Sequence, residues 1–208
     1  MIAVVDYGVG NLFSLSASLN FIGAKSIVTS DEAVLRAAEK IILPGVGAFG
    51  DAMDKLRERG LVPILDSLAG EGKPFLGISL GMQLLFEESE EFGRHRGLGY
   101  LPGRVCSLAD DVPADFKIPQ IGWNALKIYD RDEPMLKYTR EREHVYYVHS
   151  FYAKDCGDSV KAASEYGVMV PGLVRGSQRH KNVWGTQFHP EKSGAVGLDM
   201  LRAFCEIE

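Results

Sequence analysis

The chain has 208 residues, of which 46% are hydrophobic and 25% charged, the proportions of an ordinary globular protein with enough chain to bury one substantial core. A formal net charge of -5 argues against a general polyanion binder, leaving room only for a local basic patch, so neither nucleic acid nor a membrane surface is expected as a partner. Cys106, Cys156 and Cys205 are widely separated with no CxxC, which speaks against a disulfide framework or a zinc site and for reduced thiols in the cytoplasm.

Met1 to Val5 runs into Asp6 with no basic segment before it. It reads as a first strand rather than a signal peptide, and no apolar run approaches the ~20 residues that span a bilayer. Asp6-Tyr7-Gly8-Val9-Gly10 is a glycine-rich turn, after which Asn11 stands where a helix cap is wanted. Leu12, Leu15, Leu19 and Ile22 then recur at helical spacing until Gly23. Lys25 to Thr29 predicts a second strand, Ser30 or Asp31 the cap of a short helix through Ala38, and Lys40 to Leu43 a third strand. Helices are expected over Asp51 to Arg59 and Leu61 to Ala69, a strand over Pro74 to Ile78, and a helix over Leu80 to Glu88. Strand, loop and helix repeated in this way point to a parallel sheet covered by helices on both faces.

From about Leu98 the pattern changes. Arg104 to Leu108, Trp123 to Ile128, Val145 to His149, Val160 to Glu165 and Leu173 to Ser177 are short strand candidates separated by turn residues. Gln178 to Asn182 reads as a hairpin tip leading into a strand from Val183 to Phe188, and a last helix is expected from Gly194 to Glu206. There is no repeat, low-complexity tract or long linker. The expectation is one α/β domain over residues 1–208, with an antiparallel, β-rich portion in its C-terminal half.

Two segments carry chemistry. Gly77-Ile78-Ser79-Leu80-Gly81 puts a hydroxyl between two glycines at a strand-to-helix junction. There a nucleophile needs small neighbours, and the free N–H groups of the helix favour negative charge. Read alone, GxSxG is also the serine-hydrolase signature, or a turn in which Ser79 merely caps. Farther on, His189-Pro190-Glu191 sets an imidazole and a carboxylate two residues apart, a spacing that in extended chain lets the acid orient the base. The chain order of nucleophile, histidine, acid differs from the acid-before-histidine order of α/β-hydrolases. That disfavours a serine esterase, although Asp110, Asp111 and Asp158 remain as acids upstream of the histidine.

Pro44-Gly45-Val46-Gly47, the Gly77 to Gln83 elbow and His189-Pro190-Glu191 together resemble the class I glutamine amidotransferases, whose fold is flavodoxin-like, a mostly parallel sheet flanked by helices. The family elbow reads LGICLGMQ, and Ser79 is the only mismatch. Every flanking residue fits while the reacting atom alone is exchanged, which suggests an engineered Cys→Ser substitution; a natural serine variant is the alternative. Either way impaired turnover is expected, because a thiol ionises beside a histidine far more readily than a hydroxyl.

Four further segments narrow the resemblance: Asp6 to Leu12, Pro44 to Phe49, Ile121-Gly122-Trp123-Asn124 and Tyr147-Val148-His149-Ser150-Phe151. They are similar to the glutaminase subunits of imidazole glycerol phosphate synthases, over essentially the whole chain. The resemblance implies that residue 79 attacks the glutamine amide, His189 carries the proton to departing ammonia, and Glu191 orients His189. It implies an oxyanion hole from the amides of Val46 (or Gly47) and Leu80, and glutamine held by Gln83, His149 and Ser150. On the residues alone, Gln83 reads equally as packing beneath the Pro44 loop, and His149 as a structural histidine. The implied partner is a separate (β/α)8-barrel cyclase subunit of histidine biosynthesis that receives the ammonia, with Asn11, Trp123 and Lys192 at the boundary. No cofactor or metal is implied. A glutaminase of another synthase, a serine hydrolase, and a regulatory subunit without turnover are the competing expectations.

Overall fold

The computed structural model describes residues 1–208. Its elements, in chain order, are β1 (Ile2–Val5), α1 (Leu12–Phe21), β2 (Ser26–Thr29), α2 (Glu32–Ala37), β3 (Lys40–Gly45), α3 (Phe49–Glu58), α4 (Leu61–Gly70), β4 (Phe75–Ser79) and α5 (Leu80–Gln83). There follow β5 (Phe86–Ser89), β6 (His95–Arg96), β7 (Leu101–Ser107), β8 (Gln120–Ile128), β9 (His144–His149), β10 (Phe151–Lys154), β11 (Val160–Tyr166), β12 (Val168–Arg175), β13 (Val183–Thr186) and α6 (Gly194–Glu206). No helix is long and apolar enough to cross a membrane.

Nine strands form one sheet in the order β2-β1-β3-β4-β13-β12-β11-β8-β9. The pairs β1·β2, β1·β3, β3·β4 and β4·β13 are parallel, and from β13 onward every pairing is antiparallel. β1, β3, β4 and β13 are buried on both faces, which is why they read as continuous apolar runs, whereas β2 at the sheet edge is half exposed. Alternation along them sorts two cores. Ile2, Val4, Ile42, Leu76 and Ile78 face α1 and α6 through Leu15, Leu19, Leu201 and Phe204. Ala3, Val5, Ile41, Leu43 and Phe75 face α2, α3 and α4 through Leu35, Met53, Leu56, Leu65 and Leu68. The expected α/β architecture with an antiparallel C-terminal portion is therefore present.

The helix expected over Leu80 to Glu88 is absent beyond its first turn. Carbonyls of residues 84–87 are taken by a returning segment instead of by the amides four residues further along that a helix would use. Leu84 O accepts from Leu98 N–H (2.8 Å), Leu85 O from Tyr100 N–H (2.8 Å), Phe86 O from Gly99 N–H (3.1 Å) and Glu87 O from Gly97 N–H (2.9 Å). The chain after α5 thus becomes β5, part of a separate four-stranded sheet ordered β10-β7-β5-β6 that the sequence pattern does not announce. Asn11 also departs from expectation: its side chain makes no capping hydrogen bond to α1, whereas Asp31 does cap α2, accepting from Val34 N–H at 3.0 Å. Strand β12 begins at Val168, five residues before its expected start.

Candidate active site

Ser79 ends β4 and precedes α5 with φ 56° and ψ −115°, a backbone conformation that a side-chain-bearing residue holds only when its surroundings force it. The surroundings are tight. A Cβ on Gly77 would lie 2.6 Å from the Gly81 carbonyl oxygen, and one on Gly81 would collide with the Leu43 carbonyl. The two glycines let β3, β4 and the first turn of α5 approach backbone to backbone. Since α5 is a single turn, any positive field at Ser79 comes from the unpaired first-turn N–H groups rather than from a long helix dipole. Gly81→Ala is expected to destabilise the fold by about 3 kcal/mol or more, read as a lowered denaturant midpoint; an unchanged midpoint would contradict the close approach.

The next strand in space, β13, runs parallel to β4 with Thr186 opposite Ile78. Three residues on, the chain delivers His189, held by a backbone hydrogen bond from its N–H to Tyr146 O (3.0 Å) and by Ser193 Oγ donating to its carbonyl (2.7 Å). Its Nδ1 donates to Glu191 Oε1 at 2.8 Å, and both side chains are almost wholly buried. The route differs from the extended-chain reading. Pro190–Lys192 is a 3₁₀ turn that folds Glu191 back onto the ring. With Nδ1 donating to the carboxylate, the acceptor lone pair of a neutral ring lies on Nε2, which hydrogen-bonds to no other group of the protein.

Ser79 and His189 line one cavity of about 340 Å³ together with Val46, Gly47, Leu80, Gln83, His149 and Ser150. Larger grooves elsewhere on the surface hold none of these side chains. The Val46 and Gly47 amides, which follow the end of β3, hydrogen-bond nothing else in the protein, and Gly47 has φ +97°. Gln83 spends its Nε2 on two acceptors, Phe151 O (2.9 Å) and Gln187 Oε1 (3.0 Å), which fixes its amide. His149 donates from Nδ1 to Phe151 O (2.9 Å), and burial pushes its pKa down to about 4, with the nearby His189 adding to the effect.

Two lining residues escape sequence reasoning. Glu91 sits inside a run of acids that resembles a solvated helix end, yet it is 8% exposed and accepts from Phe49 N–H at 2.7 Å. Burial raises its carboxyl pKa against that hydrogen bond. Phe92, at φ 55°, projects into solvent and meets Phe151 edge-on with centroids 6.0 Å apart. Nothing in the local sequence marks either.

Asn11, Trp123 and Lys192 do not line this cavity. Asn11 borders a small void with His189 and Glu191. Lys192 is exposed in the 3₁₀ turn next to Glu191. Trp123 is half exposed, lies edge-on to Tyr146, and has Gly194 beside it. All three cluster around the turn that carries His189. No group of residues has a metal-binding arrangement, and the three cysteines are free thiols.

Residues 3–207 match the family model for class-I glutamine amidotransferases. The chain belongs to that family. Similar proteins include imidazole glycerol phosphate synthase subunits HisH. The one from Bacillus cereus is 49% identical over 98% of this chain and 93% of its own length. That of Lactiplantibacillus plantarum is 47% identical, covering 100% and 96%, and that of Listeria monocytogenes 44%, also covering 100% and 96%. Within the amidotransferases this chain therefore belongs with the HisH subunits. A solved glutamine amidotransferase is superimposable at TM-score 0.75 with 20% identity, covering 99% of this chain and 98% of that one. The PurLQS structure from Thermotoga maritima gives TM-score 0.75 at 22% identity, covering 98% and 96%. These show that the amidotransferase fold persists where most side chains differ.

Proposed function

We propose that this chain is the glutaminase subunit of an imidazole glycerol phosphate synthase, a single catalytic unit over residues 1–208 working in the cytoplasm. It hydrolyses glutamine to glutamate and ammonia and delivers the ammonia to a separate (β/α)8-barrel cyclase subunit. The observation that carries this reading is the meeting, in one cavity, of the strained Ser79 elbow with His189 backed by Glu191. The full-length similarity to HisH subunits supports the choice of synthase.

In this reading the group at position 79 adds to the side-chain amide carbon of glutamine while its proton passes to His189 Nε2. The oxygen becomes an oxyanion facing the amides of Val46 or Gly47 and Leu80; one such donor is worth about 3 kcal/mol in a comparable hole. His189 then protonates the amide nitrogen, the C–N bond breaks, and ammonia leaves an acyl-enzyme. Water, deprotonated by His189, attacks the acyl carbon and releases glutamate with the position-79 group reprotonated. Gln83, His149 and Ser150 hold the substrate, and Glu91 receives its α-ammonium through the oxygen not used by Phe49. Glu91→Ala is accordingly expected to weaken glutamine binding by about tenfold or more, the value of a charge-assisted hydrogen bond, measured by calorimetry on the Ser79 chain. Unchanged affinity would remove Glu91 from the site.

Asn11, Trp123 and Lys192 form the face that docks on the cyclase. Mixing the chain with a histidine-pathway cyclase should give a stable heterodimer in size-exclusion chromatography. The synthases for pyridoxal phosphate, anthranilate or GMP should give none. Association with one of those instead would reassign the partner while leaving the glutaminase chemistry intact.

A further inference from the structure

Tyr7 lies two residues past the end of β1, fully buried, and its hydroxyl donates to the carbonyl oxygen of Pro44 at 2.8 Å. That bond closes a gap in the sheet. β1 pairs with β3 only as far as Ile42, whereas β4 runs alongside β3 to Gly45, which stands opposite Ser79. From Leu43 to Gly45, β3 therefore has a strand on one flank alone, and at Pro44 the phenol takes the place of the other. The same turn also packs on the proline ring, where a Cβ on Gly10 would stand 3.2 Å from Pro44 Cγ.

The residue after Pro44 is caught between this hydroxyl and the elbow. A Cβ on Gly45 would lie 2.9 Å from Tyr7 Oη, 2.8 Å from Leu80 Cβ and 2.7 Å from Gly81 N. No side chain fits there, so the hydroxyl, Gly45 and the first turn of α5 stack in direct contact. Val46 follows Gly45, and Leu80 opens α5; their amides are donors assigned above to the oxyanion. Filling the core at position 7 needs only an aromatic ring. The hydroxyl is the additional feature, and it acts on the segment that spaces the donors. Tyr7 does not line the cavity, and burial pushes its pKa up, so the phenol stays protonated and away from the substrate.

We infer that Tyr7 is a positioning residue for the oxyanion hole: by holding the Pro44 carbonyl it fixes the spacing of the Leu80 amide from those of Val46 and Gly47. The inference rests on the glutamine-hydrolysis reading above. Removing the hydroxyl leaves every donor in the chain but frees the Pro44–Gly45 peptide on its open flank. A displaced donor weakens its bond to the developing oxyanion more than any contact with bound glutamine, so the loss falls on kcat.

The test compares Tyr7→Phe with its parent in the Ser79→Cys chain, with the cyclase and its nucleotide ligand present. The kcat for ammonia release should fall by about tenfold or more, with KM for glutamine within about twofold. The aldehyde analogue of glutamine adds the thiol at position 79 and sets the oxygen of a tetrahedral adduct in the hole. Its inhibition should weaken by a similar factor. Alkylation of that thiol by iodoacetamide, a displacement at saturated carbon that creates no oxyanion, should keep its rate within about twofold. Tyr7→p-aminophenylalanine, which retains a donor, should recover most of the lost kcat. An unchanged kcat, a loss carried by KM, or alkylation slowed as much as turnover overturns the inference. A crystal structure of the parent with the aldehyde bound needs no variant at position 7. The Tyr7–Pro44 bond should persist there with the adduct oxygen in the hole, and a broken bond overturns the inference as well. A parent that releases no ammonia instead defeats the glutamine-hydrolysis reading, and the inference with it.

Discussion

Replacing Ser79 with cysteine should raise ammonia release from glutamine by about 10³-fold or more in the presence of the cyclase and its nucleotide ligand, within the range spanned when a nucleophile is lost or gained. The argument starts at the backbone. The φ of 56° at position 79 and the glycines on either side set the side chain at the head of a turn with unpaired amides, and His189 shares its cavity. A thiol in such a place gives up its proton and attacks as thiolate. A hydroxyl must be deprotonated during the attack itself, and its shorter bond to carbon leaves the oxygen farther from the substrate. Glutamate formation followed in a coupled assay decides it. Equal, negligible turnover by both forms would remove the nucleophile assignment, and comparable substantial turnover would make Ser79 itself a working nucleophile.

In that Ser79→Cys background, His189→Ala should lower turnover by about 10³- to 10⁴-fold, and Glu191→Gln by about 10³-fold. The second value follows from the tautomer. Glu191 Oε1 accepts the Nδ1 proton at 2.8 Å, so Nε2 is free to accept. A glutamine at 191 can present its –NH2 to Nδ1 and move the ring proton to Nε2, where it blocks the attack. Because the two residues work as one unit, the double variant should be no worse than His189→Ala alone. Losses that multiply would show that Glu191 acts independently of the ring, and a pH–rate profile that does not move in Glu191→Gln would say the same.

How far the sequence could be read depended on how local each interaction is. β1, β3 and β4 were legible because strands buried on both faces have few choices of composition, and α6 runs from Gly194 to Glu206 as its pattern predicts. The elbow was legible because glycines at 77 and 81 answer to contacts within a few residues and one neighbouring strand. Leu84-Leu85-Phe86 followed by acids suits an amphipathic helix equally well, and only the hydrogen bonds from residues 97–100 decide otherwise. That small sheet in turn delivers Glu91 to the cavity, so missing β5 meant missing a carboxylate whose burial no local pattern encodes. Asn11 has capping chemistry, yet its backbone at φ −85° and ψ 64° leaves the extended range in which a cap side chain reaches the helix amides.

The pairing of β4 with β13 brings Phe75 against Val183 and Leu76 against Trp184. These partners are separated by most of the second half of the chain. On a translating ribosome the elbow therefore waits, with one flank of β4 unsatisfied, until the segment bearing His189 has emerged. Loop closure over such a span is slow, and in the interval an apolar strand edge is open to other chains. Substitutions that slow the closing of the sheet should cost soluble yield well before they touch the stability of the finished protein.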